Sequence, residues 1–195
     1  MLAKKLSNFE IVLASGSPRR HHFFSEMGLP FSIDVRPVEE IFPSHLSGSE
    51  ITDFLSQKKA SAFTDISENQ IVITSDTIVW KDGRAIEKPK DEADARQMLS
   101  ELSGAFHEVI TSVCFTMHDL QKTVNETTKV WFGTLSEEEI THYITTYTPF
   151  DKAGSYGIQE WIGYIGVDAI EGSFFNVMGL PTRLVYKTLM ELANH

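Results

Sequence analysis

The sequence predicts an α/β fold built on a mixed β-sheet flanked by helices. Three observations carry that expectation. Short β-branched runs alternate with stretches of helical period, the pattern of βα units. Asp82-Gly83 sits between two strand-like runs and supplies the positive φ angles of a type I′ hairpin, which adds antiparallel pairing. No repeat, low-complexity stretch or Pro/Gly-rich linker interrupts the chain, so one domain over 1–195 is expected.

The elements follow in order. Ile11 to Ala14 reads as a short buried strand. Ser15-Gly16-Ser17-Pro18 leads into a helix from Arg19 to Met27, with Ser17 as N-cap and Pro18 at its first position. Gly28 closes it and Pro30 blocks continuation. Phe31 to Val35 is a second strand. Ser49 caps a helix carrying Ile51, Phe54, Leu55, Ala62 and Phe63 on or near one face. Ile71 to Trp80, rich in Ile, Val and Thr, is a strong strand that enters the Asp82-Gly83 turn.

Asp91 to Leu102 is a helix with an acidic first turn, stopped by Gly104. His107 to Met117 and Thr123 to Phe132 pair around a polar turn. Ser136 and Glu139 form a capping box that opens a helix to about Tyr147. Asp151 to Gln159 is a loop holding Gly154 and Gly157. A strand region follows, punctuated by Gly163, Gly166 and Gly172, and Pro181 opens a final helix to about Ala193.

Composition narrows the function. Lys and Arg number 17 against 27 Asp and Glu, a formal charge of -10. Such a surface repels nucleic-acid backbones and anionic membranes, so neither is an expected partner. A local cationic pocket would stand out against it. The single cysteine, Cys114, excludes an intramolecular disulfide framework and a Cys-based zinc site. The apolar run after Glu10 is too short for a signal peptide, and no run approaches the roughly 20 apolar residues of a membrane span. A reducing, cytoplasmic setting is expected.

Two motifs carry chemistry by themselves. Ser15-Gly16-Ser17-Pro18-Arg19-Arg20 lies between a strand and a helix. Small residues let backbone N–H groups approach an anion, the helix start adds partial positive charge, and two arginines offer forked donors. The alternative is a capped surface helix with two solvated arginines. Asp76 stands inside Ile71-Val72-Ile73-Thr74-Ser75-Asp76-Thr77-Ile78-Val79. A carboxylate there is costly to bury unless it is paired or metal-bound. The alternative is an exposed side chain on the polar face of an edge strand. Glu39-Glu40, Lys58-Lys59, Glu87-Lys88 and Lys152, taken singly, read as solvated charges. The histidines show no metal-site spacing, and G-x-S-x-G is absent.

Together the motifs resemble one family. Ser15-Gly16-Ser17-Pro18-Arg19-Arg20, Ser75-Asp76-Thr77-Ile78-Val79, Glu87-Lys88-Pro89, Asp151-Lys152-Ala153-Gly154-Ser155-Tyr156-Gly157-Ile158-Gln159 and Gly179-Leu180-Pro181 occur in the order and spacing of the Maf proteins. The resemblance covers about Ile11 to Pro181. It implies the Maf/inosine-triphosphatase-like fold: an elongated mixed sheet flanked by helices, two lobes sharing that sheet, and a central cleft. It implies a nucleoside triphosphate pyrophosphatase, dependent on Mg2+ or Mn2+, often dimeric, with a housecleaning role.

Carried over by position, Asp76 matches the proton acceptor. Ser15, Arg20, Lys59 and Lys88 match the phosphate-binding set. Asp76 with Glu40 matches the metal site. Lys59 is preferred to Lys58 because the family's lysine directly precedes an alanine, here Ala60. Arg19, Thr77 and Gln159 resemble the branch acting on dTTP and UTP. The 7-methyl-GTP branch commonly has Trp at the first of these positions. The Gln159 amide can accept from N3–H and donate to O4 of uracil or thymine, or it can stabilise its own loop. A non-hydrolysing nucleotide-binding regulator linked to septum formation is a further alternative. His21-His22-Phe23-Phe24 replaces the family's Glu- and Leu-rich run, a departure expected to affect helix packing alone. Trp161 to Ile165 is bulkier than the family pattern.

Overall fold

The computed structural model describes residues 2–194; the first and last residues of the expected domain lie outside the described residues. The strands are β1 (Glu10–Leu13), β2 (Ser32–Ile33), β3 (Gln70–Lys81), β4 (Arg84–Ile86), β5 (Phe106–Thr116), β6 (Gln121–Phe132) and β7 (Val167–Glu171). The helices are α1 (Leu2–Lys5), α2 (Pro18–Glu26), α3 (Ser49–Ala60), α4 (Glu92–Leu102), α5 (Glu137–Tyr147), α6 (Trp161–Gly166), α7 (Phe174–Val177) and α8 (Thr182–Leu192). The strands form one sheet in the order β2-β1-β3-β5-β6-β7, with β4 paired to β3. Pairing is parallel for β1 with β2 and β3, and antiparallel for β3 with β4 and β6 with β7. The sheet is therefore mixed, as the sequence predicts.

The chain divides into two compact units: Met1–Asp76, Thr111–Glu126 and Gly179–His195 form one, and Thr77–Ile110 with Thr127–Met178 form the other. In the first unit, β1 buries Ile11, Val12 and Leu13, and α8 buries Val185, Leu189 and Leu192. Val12, Phe63 and Val72 pack together. In the second unit, α4 turns Ala95, Leu99 and Leu102 inward at helical spacing, against α5 residues Ile140, Tyr143 and Ile144. Each fully buried Leu or Ile contributes about 1.5–3 kcal/mol.

Local chemistry accounts for most boundaries. Asp82 (φ 50) and Gly83 (φ 78) make the expected hairpin. Asp91 caps α4 by accepting from the Asp94 N–H at 2.9 Å. Ser136 and Glu139 form the expected capping box.

Three expectations need correction. Ser49 is the first residue of α3 rather than its cap; Gly48 is the N-cap, and the Ser47 N–H donates to the Glu50 carboxylate at 3.0 Å. Ser17 is the expected N-cap of α2, although its side chain makes no capping bond. The second strand shrinks to Ser32–Ile33, because it is the sheet edge and bonds to β1 alone. The expected strand after Gln159 begins instead as helix α6. Gly163 permits that helix: a Cβ there would fall 1.8 Å from the Ile158 carbonyl oxygen.

Candidate active site

Asp76 lies on an interior strand, because β3 runs between β1 and β5. It is buried, which removes the edge-strand alternative. Its compensation is Lys59, from the last turn of α3, whose Nζ donates to Asp76 Oδ1 at 2.6 Å. The same ammonium lies 2.9 Å from Glu40 Oε1. One cation thus gathers the two carboxylates that the family resemblance assigns to a metal. The Asp76 side chain is 9% exposed and that of Glu40 52%, so one carboxylate is fixed in the fold while the other sits in an open loop.

That loop is held from α3 by a residue passed over at the sequence level. Lys58 Nζ donates to the Ile41 carbonyl at 3.0 Å, next to Glu40. Arg36 adds a second tie, donating to the Ala62 carbonyl at 2.8 Å and stacking 4.1 Å over the Phe63 ring. Adjacent lysines on one helix thus do different work: Lys59 meets the carboxylates and Lys58 clips the loop that carries one of them.

The loop between β1 and α2 is organised from Ser15, which is buried. Ser15 Oγ accepts from the Ser17 N–H at 3.2 Å and from Arg20 Nη1 at 3.3 Å. Arg20 also donates to the Ser75 carbonyl at 3.2 Å and, through Nε, to the Gly179 carbonyl at 2.9 Å. This accounts for the Gly179-Leu180-Pro181 motif: its first carbonyl closes on Arg20. Burial pulls the Arg20 guanidinium down to about 10; Asp76 and Glu40 oppose that and Arg19 adds to it. Arg20 stays cationic at neutral pH, one residue before the half-buried His21.

His21, expected to affect helix packing alone, also contacts the β1–α2 loop. Its Nε2–H donates to the Ser15 carbonyl at 2.5 Å. A carbonyl can only accept, so the ring carries its proton on Nε2. No motif announces such a bond; the unusual histidine itself was the available signal.

The second unit holds the remaining sequence-predicted residues. Thr77 follows Asp76 on β3 and is half-buried. Lys88 is exposed just beyond β4. The neighbouring Glu87 carbonyl accepts from the Gly154 N–H at 3.1 Å, which joins the Lys88 segment to the 151–160 loop. Gly154 adopts φ +70, and a Cβ there would meet Val79 Cγ2 at 2.9 Å, so this approach requires glycine.

Lys152 is buried rather than the solvated charge that the sequence predicts. It is 7% exposed and pairs with Asp151 Oδ1 at 2.7 Å and Glu160 Oε1 at 3.2 Å. Gln159 is half-buried, and its Oε1 is buried with no hydrogen-bond partner among the described residues. Trp161, the first residue of the bulky run, packs edge-on against His142 at 4.8 Å.

The chain is similar to known proteins. A family profile described as Maf-like protein matches residues 10–192. A dTTP/UTP pyrophosphatase from Christiangramia forsetii is 59% identical over 195 residues, covering 100% of both chains. One from Flavobacterium psychrophilum is 53% identical, covering 100% of this chain and 99% of the relative. Among solved structures, a HAM1 protein from Coxiella burnetii shares the fold with a TM-score of 0.50 at 12% identity, over 94% of this chain and 99% of that one. The chain belongs to the Maf-like family. No helix among the described residues is long and apolar enough to cross a membrane.

Proposed function

We propose that the protein hydrolyses dTTP and UTP between the α- and β-phosphates, releasing the nucleoside monophosphate and pyrophosphate. The observation that carries this reading is the buried Asp76 carboxylate held at 2.6 Å by Lys59 with Glu40 on the same ammonium. The full-length relatives named dTTP/UTP pyrophosphatase support the substrate pair.

In this reading water attacks the α-phosphorus, its proton passes to Asp76, and the bond to the bridging oxygen breaks as pyrophosphate leaves. Ser15, Arg20, Lys59 and Lys88 bind the phosphates and stabilise charge on the departing group. Arg20 is already braced by three protein acceptors, so its orientation costs little when substrate binds. Asp76 and Glu40, hard oxygen donors that both reach the Lys59 ammonium, would be the residues to hold Mg2+ or Mn2+. A divalent cation held there would neutralise phosphate charge and acidify the attacking water. Arg19, Thr77 and Gln159 select the base, with the unpartnered Gln159 Oε1 accepting from N3–H of uracil or thymine. The role we assign is housecleaning of the cytoplasmic nucleotide pool.

The test is pyrophosphate release from dTTP, UTP, CTP, GTP, ATP and 7-methyl-GTP with Mg2+ or Mn2+, using Asp76→Ala as the blank. Turnover led by dTTP and UTP supports the whole reading. Preference for 7-methyl-GTP keeps the reaction and discards the roles of Arg19, Thr77 and Gln159. Nucleotide binding without any release selects the non-hydrolysing regulator.

A further inference from the structure

The 151–160 loop contains a closed ring of polar contacts centred on a residue outside every motif. Tyr143, on the inward face of α5, is fully buried. Its hydroxyl accepts from the Gly157 N–H at 2.9 Å and donates to Glu160 Oε2. The other oxygen of that carboxylate, Oε1, lies 3.2 Å from Lys152 Nζ. The Glu160 N–H donates to the Gly157 carbonyl at 2.9 Å, which closes a ring of Tyr143, Glu160 and Gly157, and Lys152 joins it through Glu160. Gly157 makes the ring close: a Cβ there would sit 2.9 Å from Glu160 Cδ. Burial and the bond to Glu160 both raise the Tyr143 phenol, so it stays a donor at every working pH.

Gln159 lies between two members of this ring, Gly157 and Glu160, and its own Oε1 has no partner among the described residues. Nothing bonded to that oxygen fixes the amide. Its position is set by the backbone on either side, and both sides are held by one phenol. We propose that Tyr143, through Gly157 and Glu160, is the positioning residue for base selection by Gln159. This deepens the pyrophosphatase reading and rests on it. Tyr143 touches no reacting atom in this account; it acts through the loop.

The test compares wild type with Tyr143→Phe, Glu160→Gln and Glu160→Ala on UTP and CTP. Tyr143→Phe removes the acceptor for one amide and the donor to one carboxylate. Its KM for UTP should rise about tenfold and its preference for UTP over CTP should fall by about the same factor, the effect of weakening the one Gln159–base hydrogen bond. Its kcat should stay within about threefold, because no transition-state contact is removed. Glu160→Gln retains an acceptor for the phenol and should recover most of the preference lost in Glu160→Ala. Amide exchange should quicken at 157–160 in Tyr143→Phe and stay slow in α4. An unchanged preference, or a kcat loss equal for all bases at constant KM, overturns the proposal. If wild type releases no pyrophosphate from any nucleotide, the pyrophosphatase reading fails, and unchanged exchange at 157–160 would separately overturn the positioning role.

Discussion

Lys59 Nζ lies 2.6 Å from Asp76 Oδ1, joining the last turn of α3 to the middle of β3. Both side chains are largely shielded, at 19% and 9% exposure. Burying a carboxylate on an apolar strand is costly unless a cation compensates it. The lysine makes Asp76 tolerable in the fold, and the same lysine is the cation proposed to meet phosphate. Under the proposed reading, stability and catalysis are coupled at this pair.

Replacing Asp76 with Asn separates the two roles. The amide keeps the shape, and Lys59 keeps Glu40 at 2.9 Å. The variant should fold and melt near wild type. Pyrophosphate release should fall by about 10²–10⁴-fold, the usual worth of a positioned general base. Activity within tenfold of wild type would remove Asp76 from the proton-accepting role.

Replacing Lys59 with Met does the opposite. Asp76 then remains buried without its cation, and stability should fall by about 1–3 kcal/mol in urea unfolding. The Lys59→Met, Asp76→Asn double variant should lose less than the sum of its parts, with a coupling of about 1–2 kcal/mol. Strict additivity would mean that the contact contributes nothing to stability.

These effects trace to residues that were legible in different degrees. Asp76 stood out because a carboxylate interrupts a β-branched run, and the Asp82-Gly83 turn and the Ser136/Glu139 box were readable because their chemistry is local. The role of Lys152 was not readable, because its burial depends on Glu160 and on Tyr143, which is 17 residues from Glu160. The same non-locality hid α6, whose glycines argue against a helix until Gly163 is seen to fit against the Ile158 carbonyl. Charge type is visible in a sequence; what surrounds the charge is a property of packing.

A pH dependence follows from His107. The ring is fully buried, its Nε2 is 2.7 Å from the Tyr156 hydroxyl, and Phe132 packs edge-on at 5.2 Å. Burial, with a smaller contribution from Lys81, pushes its pKa down to about 4, against 6.5 for the ordinary group. The unfolded chain therefore takes up a proton as pH falls through 6.5, while the folded chain does not until about 4. Stability is full above pH 6.5 and declines between 6.5 and 4, by up to about 1.4 kcal/mol per pH unit from this residue. His107→Gln retains a partner for Tyr156 without the proton. Its melting temperature should fall less than wild type's between pH 7.5 and 5. Parallel curves would show that His107 does not drive the acid sensitivity.

The last prediction concerns Gly16, between Ser15 and Ser17 in the β1–α2 loop. Nothing lies within 4 Å of a Cβ built there, and its backbone is outside the left-handed region. The fold therefore does not require glycine at this position, unlike Gly154 or Gly163. If the loop accepts a phosphate through its backbone amides, the requirement comes from the ligand, whose oxygens must approach where a methyl group would project. Gly16→Ala should melt within about 0.5 kcal/mol of wild type, as surface substitutions usually do. Its KM for UTP should rise about tenfold or more, the effect of about 1.4 kcal/mol of lost binding. Thermal unfolding and steady-state pyrophosphate release on the same preparation decide it. Normal stability with normal KM would place the phosphates elsewhere, and a destabilised variant would show that the glycine serves the fold.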